Sequence, residues 1–356
     1  LFFSTKKNDA NLVSDTPEEP SFSSLQSSGY HRTENETADK NSVKDWNSGL
    51  LVSHRFNHLK TGITILYRRF ELPFVRNDQL YNRFRFRGKI NYVAATHYYL
   101  SMGRFRFFGE GAVSKSKGTA VLQGSAVHLH DRIQVSALFR HYGKTYHALW
   151  AAPFANGSSA SNETGFYLGT RILPFKFTTL TAYTDFFRSP WVKFTTAAPS
   201  KGWETMLRAH FDFPGITEFY MQTKTAQKER KKRPSERYLN INEYSRKSRI
   251  HFIMAPSGPF SFKTRFEHIF FKGETTENGY MAFQDIRYQP EKGRLRLTGR
   301  IAWFHTQSYY SRIYAYENDL LYSFSIPAFF GKGWRTYLLV KYKTKNNVEL
   351  NFKVGN

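Results

Sequence analysis

The sequence predicts an all-β fold, and more specifically a transmembrane antiparallel β-barrel with about 16 to 18 or more strands. Apolar and basic residues alternate with a period of two along several long segments. Tight turns that contain Gly or Pro alternate with long polar connections. No run of about 18 apolar residues occurs, so no helical membrane span is predicted. Together these patterns indicate one barrel domain over residues 1–356, with short periplasmic turns and long extracellular loops.

The composition excludes several other classes of protein. The chain contains 34 Phe, 22 Tyr and 6 Trp, which is too aromatic for an acidic disordered protein. It has no cysteine, which excludes disulfide scaffolds and cysteine-ligated metal sites, and no metal or cofactor is predicted. The 52 Lys and Arg residues exceed the 28 Asp and Glu residues and give a net charge of +24. Such a surplus indicates binding to nucleic acid or an anionic surface when the charges are clustered, and here they are mostly not.

The alternation is clearest in residues 83–92, where Arg83, Arg85 and Arg87 are separated by Phe84 and Phe86. The same pattern recurs at 260–270, 294–303 and 334–343. Runs of about 10 to 14 alternating residues suit a tilted membrane strand, whereas strands of soluble proteins average about five or six residues. A large soluble β-protein remains the alternative, because its strands alternate as well.

If the apolar faces of these strands meet lipid, their basic residues face the lumen. The predicted lumen-facing set is Arg83, Arg85, Arg87, Arg294, Arg296, Arg300, Arg335 and Lys341. Rings of Arg and Lys favour anions in a pore. A closed wall would result instead if these residues paired with a plug or with acidic groups such as Glu110, Asp185, Glu204, Glu267 and Asp285. Both interpretations stay open.

Residues 14–48 form the least strand-like stretch and are predicted to be a long polar loop. Thr33 could cap a short helix that begins at Glu34. Folded inward, the loop would act as a partial plug; otherwise it is a flexible surface loop. Strand-like sequence extends from the first residues to Val354, and no signal peptide precedes it, so we expect a piece of a longer precursor.

The densest basic cluster precedes Pro234. It comprises Lys228, Arg230, Lys231, Lys232 and Arg233. Closely spaced cations bind polyanions, and for an outer-membrane protein lipopolysaccharide is favoured over DNA. The alternative is a solvated hairpin tip. The interleaved Arg and Phe residues at 83–87 do not predict a platform for nucleic-acid bases, because alternate residues of a strand point to opposite faces.

Enzyme signals are weak. His128, His130 and Asp131 could be taken for metal ligands or a hydrolase site, but they adjoin a predicted turn at 131–132, where polar residues are expected anyway. No catalytic residues are predicted, and the chain is interpreted as a protein that is not an enzyme.

Several segments resemble the barrel portion of large Bacteroidota outer-membrane proteins. They are 28–33, 105–112, 140–142 with 146–147, 163–169 and 314–320. Proteins of that kind carry a helix-hairpin-helix module before the barrel, and no part of these residues matches that module. The resemblance implies a location in the bacterial outer membrane and supplies no catalytic residues.

Three functional classes remain open. A free-standing channel should conduct anions. A structural subunit of an outer-membrane transport, secretion or protein-assembly complex should bind other outer-membrane or periplasmic proteins. A DNA-uptake conduit should work with an upstream DNA-binding module. An outer-membrane hydrolase and a soluble nucleic-acid-binding protein are weaker alternatives. Membrane lipid and lipopolysaccharide are expected partners in each membrane case, and nucleic acid stays open.

Overall fold

Most of the described residues belong to one large, mainly antiparallel β-sheet. The computed structural model describes residues 1–13, 20–213, 217–232, 239–255, 258–291, 293–321, 323 and 326–356. The large sheet has 18 strands, and a separate sheet has two. No described helix is long and apolar enough to cross a membrane.

The strands are given in chain order. They are β1 (Phe2–Val13), β2 (Ser21–Gln26), β3 (Val43–Phe56), β4 (Leu59–Phe74), β5 (Gly88–Met102), β6 (Phe105–Ser114), β7 (Thr119–His130), β8 (Ile133–Tyr142), β9 (Glu163–Ile172), β10 (Thr178–Ser189), β11 (Ser200–Phe213), β12 (Thr217–Lys231), β13 (Asn240–Met254), β14 (Phe260–Lys272), β15 (Thr276–Tyr288), β16 (Leu295–Thr306), β17 (Ile313–Tyr314), β18 (Ala328–Phe329), β19 (Lys332–Lys343) and β20 (Glu349–Gly355). Two short helices complete the described elements, α1 (Glu34–Ala38) and a 3-10 helix (Leu80–Asn82).

Strands that follow one another in the chain pair as antiparallel neighbours from β3 to β16. β19 then pairs with β16, because β17 and β18 form their own small sheet within the intervening loop. β1 pairs with β3 through residues 2–8 and with β2 through residues 9–13. The predicted antiparallel meander is therefore confirmed. A single parallel bridge, between Phe22 and Phe74, joins β2 to β4.

The long connections lie at one end of the strands, as the sequence predicts, but the short connections 115–118 and 273–275 lie at that end too. Turns such as 57–58, 103–104 and 131–132 stand at one end. The long loops 75–87, 143–162, 190–199 and 307–331 stand at the other. Contacts between distant loops show that the sheet curves round on itself. For example, the indole nitrogen of Trp191 donates to the carbonyl oxygen of Leu80 at 2.9 Å.

The outward face of the sheet is mainly apolar, and the inward face carries charged side chains as well as buried apolar clusters. Phe266 is 54% exposed and Ile301 is 50% exposed, although each lies in the middle of a long strand. Further outward-facing residues are Phe166, Phe186, Leu207, Met221, Ile250 and Leu338. An exposed apolar surface of this extent is typical of lipid contact and rare on soluble monomers. The alternation predicted for 260–270, 294–303 and 334–343 is confirmed.

The strand predicted through residues 83–87 is wrong, because these residues lie in the loop 75–87 before β5. Phe86 is buried among Phe22, Phe70 and Phe74 on the inner side of the sheet. Phe84 packs against Trp191, with ring centroids 4.8 Å apart. The aromatic rings that suggested a lipid-facing strand instead fill an internal cluster. Burial of aromatic surface against the loop outweighs the strand preference that the local pattern implies.

The polar stretch 14–48 is more ordered than a loop. Residues 21–26 form β2, residues 34–38 form α1, and β3 begins at Val43. Thr33 caps α1 as predicted, because its side chain accepts a hydrogen bond from the backbone NH of Glu36. Phe22 is fully buried in the aromatic cluster beside β4. One aromatic residue within a polar run therefore ties the segment to the inner face. Residues 14–19 lie outside the described part of the chain.

A buried charge network joins three neighbouring strands on the inner face. Arg140 on β8 is fully buried, and its Nε lies 2.8 Å from Glu163 Oε1 on β9. Its two terminal nitrogens bind both oxygens of Asp185 on β10, at 2.7 and 3.0 Å. Gly165 provides the space, since a Cβ at that position would lie 2.4 Å from Arg140 Cζ. The guanidinium is thus fully paired, as a buried charge requires.

We expect Gly165→Ala to lower the free energy of unfolding by about 1–3 kcal/mol, because the added methyl group displaces a buried, fully bonded guanidinium. Urea unfolding in lipid vesicles measures the change. Gly111→Ala is the matched control, since a Cβ there meets no atom within 4 Å. Equal effects of the two substitutions would contradict this account of Gly165.

Candidate functional site

The loop 143–162 folds into the interior and crosses it. Trp150 lies over the guanidinium of Arg68 on β4, with Cζ 4.2 Å from the ring centroid. In the other direction, Asn156 Oδ1 lies 3.5 Å from Lys228 Nζ on β12. These contacts reach inner-face residues on opposite parts of the sheet. The loop therefore narrows the lumen, a role that the sequence assigned only to residues 14–48.

The loop 307–331 covers a second part of the inner wall. Its apolar residues pack against β14, β15 and β16 in a buried cluster made of Ile269, Met281, Phe283, Ala302, Ile313, Ala315 and Phe329. Its buried Glu317 receives hydrogen bonds from Arg335 at 2.9 and 3.1 Å. The backbone carbonyl of Tyr316 accepts another from Arg300 at 2.6 Å. The loop is thus fixed to the wall by both apolar and charged contacts.

A cavity of about 870 Å³ remains between this loop and the inner face of β11 to β14. We call it the basic cavity. Its described lining includes seven basic side chains, Lys224, Lys228, Arg230, Lys231, Lys247, Arg249 and Arg312. It also includes four acidic side chains, Glu204, Glu243, Glu267 and Glu274, and the three tyrosines Tyr309, Tyr310 and Tyr314. Positive charge is therefore in excess.

The acids of the basic cavity neutralise only part of its wall. Lys224 Nζ lies 2.8 Å from Glu204 Oε1, and Arg249 Nε lies 2.6 Å from Glu267 Oε1. Lys247 stands directly opposite Lys224 in the pairing of β12 with β13. Among the described residues, no carboxylate lies within 4 Å of Lys247 Nζ. Because Glu204 compensates Lys224, Lys247 is the member of this opposed pair whose charge a bound anion would neutralise.

The predicted lumen-facing residues have different surroundings. Arg300 is buried, with its Nε 2.5 Å from Asp285 Oδ1, and Arg335 is paired with Glu317. Arg296 and Lys341 oppose one another near the short-turn end, and Arg294 precedes β16. The arginines predicted at 83, 85 and 87 lie exposed in the loop 75–87, where Arg85 donates to Ser159 Oγ at 3.1 Å. None of these residues lines the basic cavity as described.

The acidic residues proposed as partners of the predicted lumen-facing bases mostly form ion pairs, but with other basic residues. Asp185 binds Arg140, Glu204 binds Lys224, and Glu267 lies between Arg249 and Arg265. Only Asp285 pairs with a residue of the predicted set.

The cluster predicted before Pro234 is divided between two environments. Lys228 and Arg230 lie on the inner face of β12 and line the basic cavity. They therefore do not form a hairpin tip, because the strand continues to Lys231 and its alternation turns them inward. Lys231 also lines the basic cavity and lies over the ring of Phe194, whereas Lys232 is exposed at the strand end. Arg233 lies outside the described residues. Contact with lipopolysaccharide stays a prediction for this end of the cluster.

Sequence reasoning missed Lys247, Arg249 and Arg312. In β13 both faces carry polar residues, since Arg246 and Ser248 lie on the outward side. The period-two signal is therefore weak in this strand. Arg312 lies in a loop whose inward fold depends on contacts with distant strands. The basic charge at alternate positions of this segment could by itself have identified Lys247 and Arg249 as residues that share one face of a strand.

His128, His130 and Asp131 lie exposed at the β7–β8 turn, as expected. His130 Nδ1 accepts a hydrogen bond from the backbone NH of Arg132 at 3.2 Å. The imidazole thus stabilises the turn.

Comparisons with known proteins give limited information. No protein-family model matches the chain, and no curated protein matches it. Among solved structures, Pseudomonas aeruginosa OccK10 (OpdN) is 13% identical over 74% of this chain and 88% of its own, with a TM-score of 0.38. An anion-selective porin from Comamonas acidovorans is 9% identical over 87% of this chain and 100% of its own, with a TM-score of 0.38. Pseudomonas aeruginosa OccK5 (OpdH) is 10% identical over 88% of this chain and 93% of its own, with a TM-score of 0.40. All three scores are below 0.5, so the likeness supports no assignment of this chain.

His147 is the titratable residue that docks the loop 143–162. Its ring nitrogen Nε2 lies 2.8 Å from the carbonyl oxygen of Phe84, and its own carbonyl accepts from Asn91 at 2.8 Å. Burial lowers the pKa of His147 below 6.5, the hydrogen bond to Phe84 acts in the opposite direction, and the nearby Arg85 charge adds to the lowering. The docked loop therefore favours the neutral imidazole.

We expect the docked loop to lose stability as the pH falls below about 6.5, because the undocked imidazole then binds a proton that the docked one resists. Above that pH both states are neutral and no effect is expected. Hydrogen–deuterium exchange of residues 143–162 at pH 7.5 and 5.5, corrected for intrinsic rates, measures the change. In His147→Gln, which keeps a donor but does not titrate, the acid-dependent increase should disappear. An undiminished increase in this variant would assign it to another group.

Proposed function

We propose that this chain forms a channel for anionic solutes in the bacterial outer membrane. The observation that carries the proposal is the basic cavity, whose positive charge exceeds its negative charge at a point where two loops narrow the lumen. Basic side chains around a narrow aqueous path raise the local concentration of anions and repel cations.

The location in a membrane is supported by the outward face of the sheet. Its long strands carry exposed apolar residues at alternate positions, from Phe166 on β9 to Leu338 on β19. A β-sheet can span hydrocarbon only when its backbone groups are paired within the sheet. Barrels of this type are characteristic of outer membranes, whose outer surface is itself anionic.

We expect the double variant Lys224→Gln, Lys247→Gln to lose much of its preference for anions. Its reversal potential in a KCl gradient across a planar bilayer should move toward the value for a nonselective pore, since the two opposed cations of the cavity wall are removed. Arg246→Gln is the matched control. It removes one charge from the strand that carries Lys247, but on the outward face.

Two results would contradict the proposal. A cation-selective unmodified channel would show that the acidic residues dominate the path. An equal loss of selectivity in Arg246→Gln would show that overall charge, and not the cavity wall, controls permeation.

A second role, as a subunit of an outer-membrane assembly, is favoured by the edges of the sheet. Among the described residues, no backbone hydrogen bond joins β1 to β20. Both strands carry strongly exposed apolar side chains, with Phe3 71% and Phe352 63% exposed. Unpaired strand edges are unfavourable in hydrocarbon, and a strand of another polypeptide can pair with them.

If this second role holds, a photo-crosslinking residue at Phe3 or Phe352 should capture a stoichiometric outer-membrane protein in cells. The same substitution at Phe266, which is also outward and exposed but lies within the sheet, should not. Mass spectrometry of the crosslinked product checks this. An absence of product at both edge positions would count against the assembly role and leave the channel unaffected.

A further inference from the structure

The tyrosines of the basic cavity present an aromatic surface beside the cationic wall. Tyr309, Tyr310 and Tyr314 are 53%, 49% and 41% exposed, although all three belong to a loop folded into the lumen. These rings are not members of the buried apolar cluster around Ile313 and Phe329 that holds the loop to the wall. Large aromatic side chains left uncovered inside a cavity are typical of ligand sites.

Tyr310 forms a rigid stacking platform. Its ring lies parallel to the ring of Phe271 on β14, with centroids 5.4 Å apart and planes 12° apart. Phe271 is buried and covers one face of Tyr310, so the exposed surface of Tyr310 belongs to the cavity side. A flat ring can stack there without ordering a mobile side chain, which reduces the entropy lost on binding.

Arg312 places a cation next to this platform. Its guanidinium stacks on Tyr309 at 4.0 Å, and its Nε donates to the hydroxyl of Tyr314 at 2.7 Å. Nη1 bonds to the Tyr309 carbonyl, whereas Nη2 has no hydrogen-bond partner among the described residues. Across the cavity stand Lys224 and Lys247, opposed in register. Arg312 from the loop, and Lys247 and the Glu204-bound Lys224 from the wall, thus line the same cavity as the tyrosines.

We propose that the basic cavity binds nucleotides, with the phosphate among Lys224, Lys247 and Arg312 and the base stacked on Tyr310. This inference rests on the proposed anion channel and names its solute class. A doubly charged phosphate matches several cations better than a single carboxylate does, and Arg binds phosphate through parallel hydrogen bonds. Stacking on aromatic side chains tolerates every base, because each base has a flat π-face. The cavity volume of about 870 Å³ is within the range of small-molecule sites.

Calorimetry with the full-length protein in detergent tests the site directly. The probes are adenosine monophosphate, ribose 5-phosphate, which has no base, and adenosine, which has no phosphate. We expect adenosine monophosphate to bind about fivefold or more tightly than either partial probe. Equal affinity for adenosine monophosphate and ribose 5-phosphate would overturn the proposal, since a general anion site would then explain the binding.

Substitution of the platform separates stacking from charge. Tyr310→Leu keeps an apolar contact with Phe271, and we expect it to reduce adenosine monophosphate affinity to that of ribose 5-phosphate. Tyr280→Leu is the control, because Tyr280 is 46% exposed on the outward face. Unchanged nucleotide affinity in Tyr310→Leu would overturn the assignment of the platform.

The two proposals fail in different measurements. Reversal potentials that show no anion preference would refute the channel, whereas calorimetry reports the nucleotide site whether or not current flows. An anion-selective channel without preferential binding of adenosine monophosphate would leave the proposed function intact and refute the nucleotide site.

Discussion

The structure depends on one constraint, that each strand in apolar surroundings must satisfy its backbone through its neighbours. Hydrocarbon offers no substitute for a missing hydrogen bond. A sheet can therefore span the membrane only when its strands pair in a continuous ladder. Once the backbone is fixed in this way, the period of two divides the side chains between lipid and lumen. The basic surplus of the strands is then directed mainly inward, because charged groups on the outward face at membrane depth are destabilising.

Inside the barrel, local neutralisation decides which charges are structural. Arg140 and Arg300 are buried and bound by carboxylates on neighbouring strands. Such residues hold strands and loops in place and are not available to a solute. The wall formed by β12 and β13 differs, because Lys224 and Lys247 oppose each other while the nearby acids are already engaged. The excess of charge is therefore located at one place, and the lumen is not uniformly basic.

The sequence predicts the sheet far better than it predicts the site. Alternation at 260–270 and 294–303 is a property of single strands, and the structure confirms it. The segment 83–87 shows the same alternation, but Phe86 is drawn into contact with Phe22 and Phe70, which no local pattern reveals. The basic cavity depends on the inward fold of the loop 307–331, which is likewise set by distant contacts. Charges on single strands could be placed on a face, but not assigned to a common cavity.

Glu163 links the loop 143–162, which narrows the lumen, to the wall formed by β8, β9 and β10. Its carboxylate binds Arg140 and also accepts hydrogen bonds from the backbone NH groups of Asn156 and Gly157, at 2.9 and 3.1 Å. The loop backbone is therefore held by the carboxylate that completes the buried network of β8, β9 and β10. Charge-assisted bonds in surroundings of low dielectric constant are strong, and loss of one member leaves the others unpaired. Movement of Asn156 and Gly157 would disturb the wall itself. This part of the loop is consequently fixed by the same interactions that join β8, β9 and β10.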